Sequence, residues 1–474
     1  MSRTLKSITI VVWSGLALLL TSCVSPVGPD YQKPDVTDVM PAKWSWQTAN
    51  PRDELSKGEW WRIFQDDALN ALQNRAREAN PTVQAAIASV EQARANARSA
   101  AADFFPSIRL QPAMRRERTS GNLPSPVPVA IPSVHINSMS LPLDLSYEID
   151  LWGKVRRSLE SARASAVATV ADYNHLLLTL TADVAVQYFM LRTLDSELAT
   201  LRRTIELHQT SIDLMEQRFR AGTISETELS RARIELSNAR ADLPNIERLR
   251  QETANTLALL CGEPAGKTAF PEHPLGTNAP VTVPAGLPAD LLERRPDIAS
   301  AERRVAARNA DIGVMTANYF PSVRLTGQAG YLSRDVDSLL SADSRTWSFG
   351  PSVSLPLSGY GLIGARVRLA RAVREETIAN YRQTVLTAIK DVETSLAQIR
   401  YRAEQSTALG ASLIHATTTT DLTRQRYEQG VVSQSELLDA ERARLQVELT
   451  CTQVLAQQHI ASIRLIKALG GGWQ

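Results

Sequence analysis

The residue best placed for covalent chemistry is Cys23. It follows Leu20-Thr21-Ser22 at the end of an apolar run over residues 8–20, with Arg3 and Lys6 ahead of it. A basic start, a short apolar stretch and small residues before a cysteine mark a bacterial lipoprotein export signal rather than a membrane span. Cleavage before Cys23 and a thioether-linked lipid on its sulfur are expected. Beyond it the chemistry thins out. Cys261-Gly262-Glu263-Pro264-Ala265-Gly266-Lys267-Thr268 has the outline of a phosphate loop. However, Cys261 stands where a Walker motif needs Gly, and Pro271 and Pro274 follow where a helix must start. The six histidines (His135, His175, His208, His273, His415 and His459) show no paired metal spacing, and neither His-Glu-x-x-His nor Gly-x-Ser-x-Gly occurs. The seven methionines do not cluster, which argues against dedicated copper or silver handling. Cys261 and Cys451 read as buried small residues rather than a disulfide. No catalytic site, cofactor or metal is expected, and no enzyme.

Charge and composition narrow the class. Residues 1–22 carry two basic side chains and no acid, so the mature chain holds 50 basic and 50 acidic residues. That balance provides no basic field for nucleic acid. Aromatic residues are only 5% of the chain, a composition that favours long helices over a thick core. No later run of about 18 apolar residues exists, so β-strands are the chain's only route through a bilayer.

The elements that would position any site come in two copies. Asn80-Pro81 opens a helical run ending at Phe104-Phe105-Pro106-Ser107-Ile108-Arg109-Leu110. Arg295-Pro296 opens another ending at Tyr319-Phe320-Pro321-Ser322-Val323-Arg324-Leu325, an offset of 215 residues. At an offset of 208, Arg218-Phe219-Arg220-Ala221-Gly222 matches Arg426-Tyr427-Glu428-Gln429-Gly430. A period this long is a duplicated domain-sized unit.

Within each copy the apolar spacing specifies coiled coil. Leu191, Leu194, Leu198, Leu201, Ile205, His208, Ile212, Met215 and Phe219 step three and four alternately, and no Pro or Gly interrupts residues 154–220. A continuous helix of that length would be about 100 Å long. The return helix repeats the stepping through Leu229, Ala232, Leu236, Ala239, Leu243 and Ile246, with a kink expected at Pro244. The tip between them, Gly222-Thr223-Ile224-Ser225, supplies a left-handed C-cap and then a capping box of Ser225 with Glu228. Gly430-Val431-Val432-Ser433 with Glu436 does the same in the second copy.

Strands join the helices. Val323, Leu325, Gly327, Ala329 and Tyr331 alternate with Arg324, Thr326, Gln328 and Gly330. The partner strand alternates through Trp347, Phe349, Pro351, Val353, Leu355 and Leu357. The first copy offers Ile108, Leu110 and Met114, then Leu141, Leu143, Leu145 and Tyr147. One apolar and one polar face suit a transmembrane barrel. Four strands cannot close one, since the smallest have about eight. Either the sheet packs on something soluble or several chains pool their strands; three chains would supply twelve.

These residues, taken with Gly28-Pro29-Asp30-Tyr31, Tyr147-Glu148-Ile149-Asp150-Leu151-Trp152-Gly153, Val283-Pro284-Ala285-Gly286-Leu287-Pro288, Arg294-Arg295-Pro296-Asp297 and Ala468-Leu469-Gly470-Gly471-Gly472-Trp473, resemble the TolC-like outer-membrane efflux channels. The similarity is to the lipoprotein branch that serves resistance-nodulation-division pumps, and it covers essentially the whole chain. It implies a mainly α protein with a transmembrane β-barrel: a homotrimer sharing a twelve-stranded barrel in outer-membrane lipid, a long coiled-coil α-barrel in the periplasm and an internal two-fold repeat. The implied partners are a periplasmic adaptor (membrane fusion) protein and an inner-membrane resistance-nodulation-division pump. The implied function is a passive exit duct for small toxic compounds.

The expected organisation is a signal peptide at 1–22, a lipid-anchored and equatorial segment at 23–79 and repeat 1 at 80–262, with its β-hairpin at 105–152 and helical tip near 221–225. A linker follows at 263–294, then repeat 2 at 295–470, with a β-hairpin at 320–358 and tip near 429–433, and a tail at 471–474. The resemblance assigns an equatorial belt of irregular segments to residues 44–79 and 263–294 and to the last dozen.

Carried over by position, the resemblance makes Tyr427, Glu436 and Asp439 the periplasmic gate. It also makes Gly222, Thr223, Ile224, Ser225, Gly430, Val431, Val432 and Ser433 the adaptor-contact tips. Some relatives place an Arg where Val432 stands, which shifts the gate's basic partner to Arg424, Arg426 or Arg442. Glu436 is equally a capping carboxylate, and Asp439 equally a solvated one. Arg231 in the first hairpin corresponds to Asp439 at the matching position of the second, a sign reversal expected if one hairpin is wall and the other gate. Two other readings remain open: a lipid-tethered coiled-coil scaffold and a protein-secretion exit duct.

Overall fold

The computed structural model describes residues 25–36, 38, 40–41, 58–120, 133–276 and 295–471. Cys23, the export signal, most of the 263–294 linker and the end of the tail lie outside them. In chain order the elements are α1 (Asp67–Ala79), α2 (Pro81–Ala102), β1 (Ser107–Leu110), β2 (Ala113–Arg118), β3 (His135–Ile149), α3 (Lys154–Arg220) and α4 (Glu226–Leu260). Then follow α5 (Pro296–Ala317), β4 (Ser322–Ser333), β5 (Arg345–Ser354), α6 (Tyr360–Glu428) and α7 (Gln434–Ala468). The chain divides into two compact units, and each draws on both halves of the sequence.

The first unit, Met1–Pro34, Glu91–Ala168 and Glu302–Asn380, holds the sheet. Its antiparallel order is β1-β3-β4-β5, with β2 also paired to β3. The single first strand expected from the sequence is interrupted at Gln111-Pro112, because Pro112 has no N–H to give the ladder. Its register nevertheless continues. Leu110 faces Leu143 and Ala113 faces Ser140, while the Gln111 N–H still donates to the Pro142 carbonyl at 3.1 Å. The last strand stops at Ser354, short of Leu355 and Leu357, which the alternation had included.

Cross-strand pairing sorts the two faces. Ile108 and Leu110 align with Leu145 and Leu143, which align with Gly327 and Ala329, then with Phe349 and Trp347. The opposite face carries Arg109, Asp144, Glu148, Arg324 and Gln328, where Gln328 donates to Asp144 at 2.8 Å and Arg324 to Glu148 at 3.3 Å. The apolar face is bare: Met114 is 75% exposed and Trp347 80%. Among the described residues, outer strands β1/β2 and β5 leave both sheet edges unpaired.

Several motif residues turn out to be architectural. Asp150 caps α3 by accepting from the Val155 and Arg156 N–H groups, both at 3.0 Å, and the Trp152 indole donates to the Pro321 carbonyl at 2.7 Å. Gly153 has φ +77°, and a Cβ there would stand 2.5 Å from Pro26. The N-terminal segment is strapped down by Asp30, which accepts from Arg157 at 2.6 Å, and by Tyr31, which donates to Glu302 at 3.3 Å.

The second unit is Asp35–Val90, Thr169–Ala301 and Tyr381–Gln474. Its core packs Trp60, Trp61 and Leu69 with Tyr188, Phe189, Val392, Leu396, Ile463, Leu465 and Ile466. Residues 67–79, expected to be irregular, are helical. Asp66 caps them by accepting from the Ala68 and Leu69 N–H groups, while the Tyr188 hydroxyl donates to its other oxygen at 2.6 Å. Arg295 is nearly buried. It pairs with Asp297 at 2.6 Å and donates to the Ala468 carbonyl at 2.9 Å, closing the end of α7. Cys261 is buried and free, and burial pushes its thiol up to about 11. The heptad seam is buried from Leu191 through Met215 at its leucines, isoleucine Ile212 and methionine, and Leu229, Ala232, Leu236 and Ala239 meet it from α4. α4 runs through Pro244 as one helix.

Candidate functional site

Both hairpin tips are built alike. Gly222 (φ +73°) and Gly430 (φ +72°) end α3 and α6 in the left-handed region. Thr223 N–H reaches back to the Arg218 carbonyl at 3.0 Å, and Val431 N–H to that of Arg426 at 2.9 Å, the 6→1 bond of a Schellman cap. Ser225 and Ser433 open the return helices with complete capping boxes. In the first box, the Ser225 N–H and hydroxyl hold the Glu228 carboxyl below its ordinary value. Gly222, Thr223, Ser225, Gly430, Val431 and Ser433 are exposed. Val432 is half-buried, and Ile224 packs on the cluster of Ile212, Met215 and Leu229.

The three expected gate residues do not form one cluster within the chain. Glu436 faces its own N-cap, accepting from the Ser433 N–H at 3.4 Å and from its hydroxyl at 3.2 Å. The Tyr427 ring lies 6.0 Å from the Arg218 guanidinium of the first hairpin. Asp439 is 68% exposed and accepts from Arg442 at 3.4 Å. Of the three candidate basic partners, Arg442 is the one that meets Asp439, and it also bridges to Glu235 on α4. Arg424 instead pairs with Glu441 at 3.0 Å.

That bridge is one rung of a seam between the hairpins which the sequence did not reveal. Along α3 and α7, running antiparallel, Gln453 donates to Glu197 at 2.9 Å, Arg203 pairs with Glu448, His208 Nδ1 lies 3.9 Å from Glu441, and Gln434 donates to Met215 at 2.8 Å. His208, expected as a satisfied interface residue, does face a partner. A cavity of about 420 Å³ opens behind these rungs, lined by the carboxylates of Glu197, Glu235, Asp242 and Glu441 with Arg442 among them. With Glu441 already paired to Arg424, Arg442 is the cation that offsets Glu235 at this cavity and links α7 to α4. Burial pushes the Glu197 carboxyl up, and the Gln453 hydrogen bond only partly counters it.

Nothing in this arrangement resembles a reaction centre. Among the described residues no group of three or more His, Cys, Asp or Glu could hold a metal ion, and no helix is long and apolar enough to cross a membrane. What the geometry does define is a pair of capped helical hairpins linked by breakable polar rungs, and a sheet with a bare apolar face. Residues 72–263 and 287–471 match the outer membrane efflux protein family, and the chain belongs to it. It is thus an outer-membrane transport component rather than an enzyme. Among its relatives, the solvent efflux pump outer membrane protein SrpC of Pseudomonas putida is 32% identical over 96% of this chain and 97% of its own length. Outer membrane protein OprJ of Pseudomonas aeruginosa is 30% identical over 97% and 95%. The solved structure of the outer-membrane channel OprN superposes with a TM-score of 0.86 at 30% identity, covering 94% of this chain and 99% of that one.

Proposed function

We propose that the protein is the passive exit duct of a tripartite efflux system, conducting small toxic compounds out through the outer membrane. The observation that carries this reading is the sheet. Its apolar face is bare, its edges are unpaired among the described residues, and β3, β4 and β5 run to 15, 12 and 10 residues, enough to cross the apolar layer at about 9–11 residues per strand. Open edges and a bare face are both resolved if three copies close a twelve-stranded barrel whose outer wall is lipid and whose lumen is the face bearing Asp144, Glu148, Arg324 and Gln328. The two matching hairpins of each copy would then give six in a ring, the internal two-fold repeat serving as three chains imitating six.

The lipid on Cys23 would anchor the mature N-terminus, with the Asp30 and Tyr31 contacts fixing the segment just beyond it. The exposed tips, Gly222 to Ser225 and Gly430 to Ser433, are the docking ends for a periplasmic adaptor that couples an inner-membrane resistance-nodulation-division pump. The gate is assigned to Tyr427, Glu436 and Asp439, with Arg442 as the basic partner that Val432 does not supply. Glu436 has its capping role as well. Single-channel recording in planar bilayers tests the reading: purified protein should conduct in discrete steps. Protein that inserts but never conducts, even with Asp439 replaced, would contradict it.

A further inference from the structure

The apolar face of the sheet has a charged border. On β2 the outward-facing residues run Met114, Arg116, Arg118, paired in turn with Met139, Asn137 and His135. On β5 the same face runs Arg345, Trp347, Phe349, with Arg345 opposite Tyr331. On each edge strand, then, arginine stands where the outward apolar residues stop, at the end away from α2 and α3. All three are exposed. Among the described residues neither Arg116 nor Arg345 meets a carboxylate, and Arg118 donates to the Ser133 hydroxyl at 3.3 Å. Acid is present nearby but directed elsewhere. Glu117 lies on the opposite face beside Arg115 at 3.8 Å, and Asp335, Asp337 and Asp343 belong to the connection beyond the strands. On the polar face, by comparison, Arg324 is neutralised by Glu148 while Arg109 meets no carboxylate among the described residues.

Guanidinium groups without a carboxylate at the rim of an apolar wall, beside exposed Trp347 and half-buried Tyr331, fit a partner that is apolar below and anionic above. We propose that this border binds the phosphates of anionic lipid headgroups. The proposal rests on the reading of the sheet as a membrane wall. Guanidinium is suited to phosphate because its planar donors bond two oxygens at once. An interfacial aromatic beside it anchors the same level.

Trp347 offers the test. Full-length protein is reconstituted in vesicles whose brominated acyl chains, which quench indole on contact, are carried either by phosphatidylglycerol or by phosphatidylcholine. The Trp347→Phe protein, measured alongside, isolates that residue's signal. Near an anionic surface each arginine is worth enough to give roughly a fivefold preference. Wild type should therefore show Trp347, which has only Arg345 beside it on β5, favouring brominated phosphatidylglycerol about fivefold, and Arg116→Gln/Arg118→Gln/Arg345→Gln protein of unchanged conductance should show equal quenching by both. Equal quenching in wild type, or a preference that survives the triple substitution, would overturn the proposal. So would a preference erased by excess inorganic phosphate at constant ionic strength, which would mark a free-phosphate site. Quenching by neither lipid would sink the membrane-wall reading itself.

Discussion

Replacing Arg442 with Ala should open the channel. Arg442 joins Asp439 on its own helix to Glu235 on the first hairpin, and it is 59% exposed while Glu235 is 18% exposed. Exposed ion pairs contribute about 0.2–1 kcal/mol. With one partner mostly shielded, about 0.7 kcal/mol per chain is a reasonable value once solvent screening is allowed for. Removal also leaves Glu235 without its cation, facing Glu197 and Asp242 across the cavity, so the loss falls on the closed seam. Three chains opening together would sum to about 2 kcal/mol, roughly a thirtyfold rise in the open-to-closed ratio. Three chains opening independently would each change about threefold. Single-channel recording reads this as open probability. Arg248→Ala is the control, because Arg248 pairs with Glu252 on its own helix at 2.6 Å and touches no seam. An open probability within twofold of wild type, or an equal rise in the control, would refute the reasoning.

Other consequences follow from single side chains. Because burial raises the Glu197 carboxyl, the folded protein binds that proton more tightly than the unfolded chain. Its contribution is full below the ordinary glutamate value of about 4.3 and is lost as pH rises through the raised one. Glu197→Gln should flatten that part of the Tm-against-pH curve; an unchanged slope would rule the residue out. Arg295→Ala should cost about 1–3 kcal/mol in denaturant unfolding, because it leaves the half-buried Asp297 with the Ile298 N–H but without its cation. Burial alone would push the Asp297 carboxyl up, yet Arg295 holds it below its usual value, so the penalty of the substitution should shrink in acid. At Gly330, a Cβ would stand 2.1 Å from the Leu141 carbonyl oxygen. Gly330→Ala should therefore weaken the β3–β4 pairing by about 1–3 kcal/mol and lower the yield of assembled protein on native gels.

The helices were legible because burying one stripe of a long coiled coil demands a three-and-four spacing that nothing else in the chain requires. Leu191 to Met215 is that stripe. The tips were legible because left-handed Gly and the Ser-x-x-Glu box are local chemistry, readable at Gly430 and Ser433 without knowing the fold. Strand alternation gave the faces of the sheet, while the break at Pro112 shows one missing donor interrupting a ladder without shifting its register. Helix Asp67–Ala79 carried a readable cap in Asp66 and apolar spacing through Leu69, Leu72 and Ala76, but short amphipathic helices compete poorly against the irregular belt that the resemblance implied. The rungs linking the hairpins were not legible. Glu235 and Arg442, or Glu197 and Gln453, meet only because α7 lies beside the first hairpin, a tertiary choice that no local spacing encodes. Similarly, Asp150, Gly153 and Arg295 stood in the motifs that carry the resemblance, and only the fold shows that each ties one segment to another.

An exit duct requires the sheet to be a lipid-facing wall rather than a surface packed within a tethered scaffold. Membrane partition of the Cys23→Ser protein, exported through a cleavable signal, tests this most directly, since it removes the anchor and leaves the sheet. The account predicts that the protein stays in the outer-membrane fraction and is released only by detergent. Release into aqueous buffer as a soluble protein would contradict it.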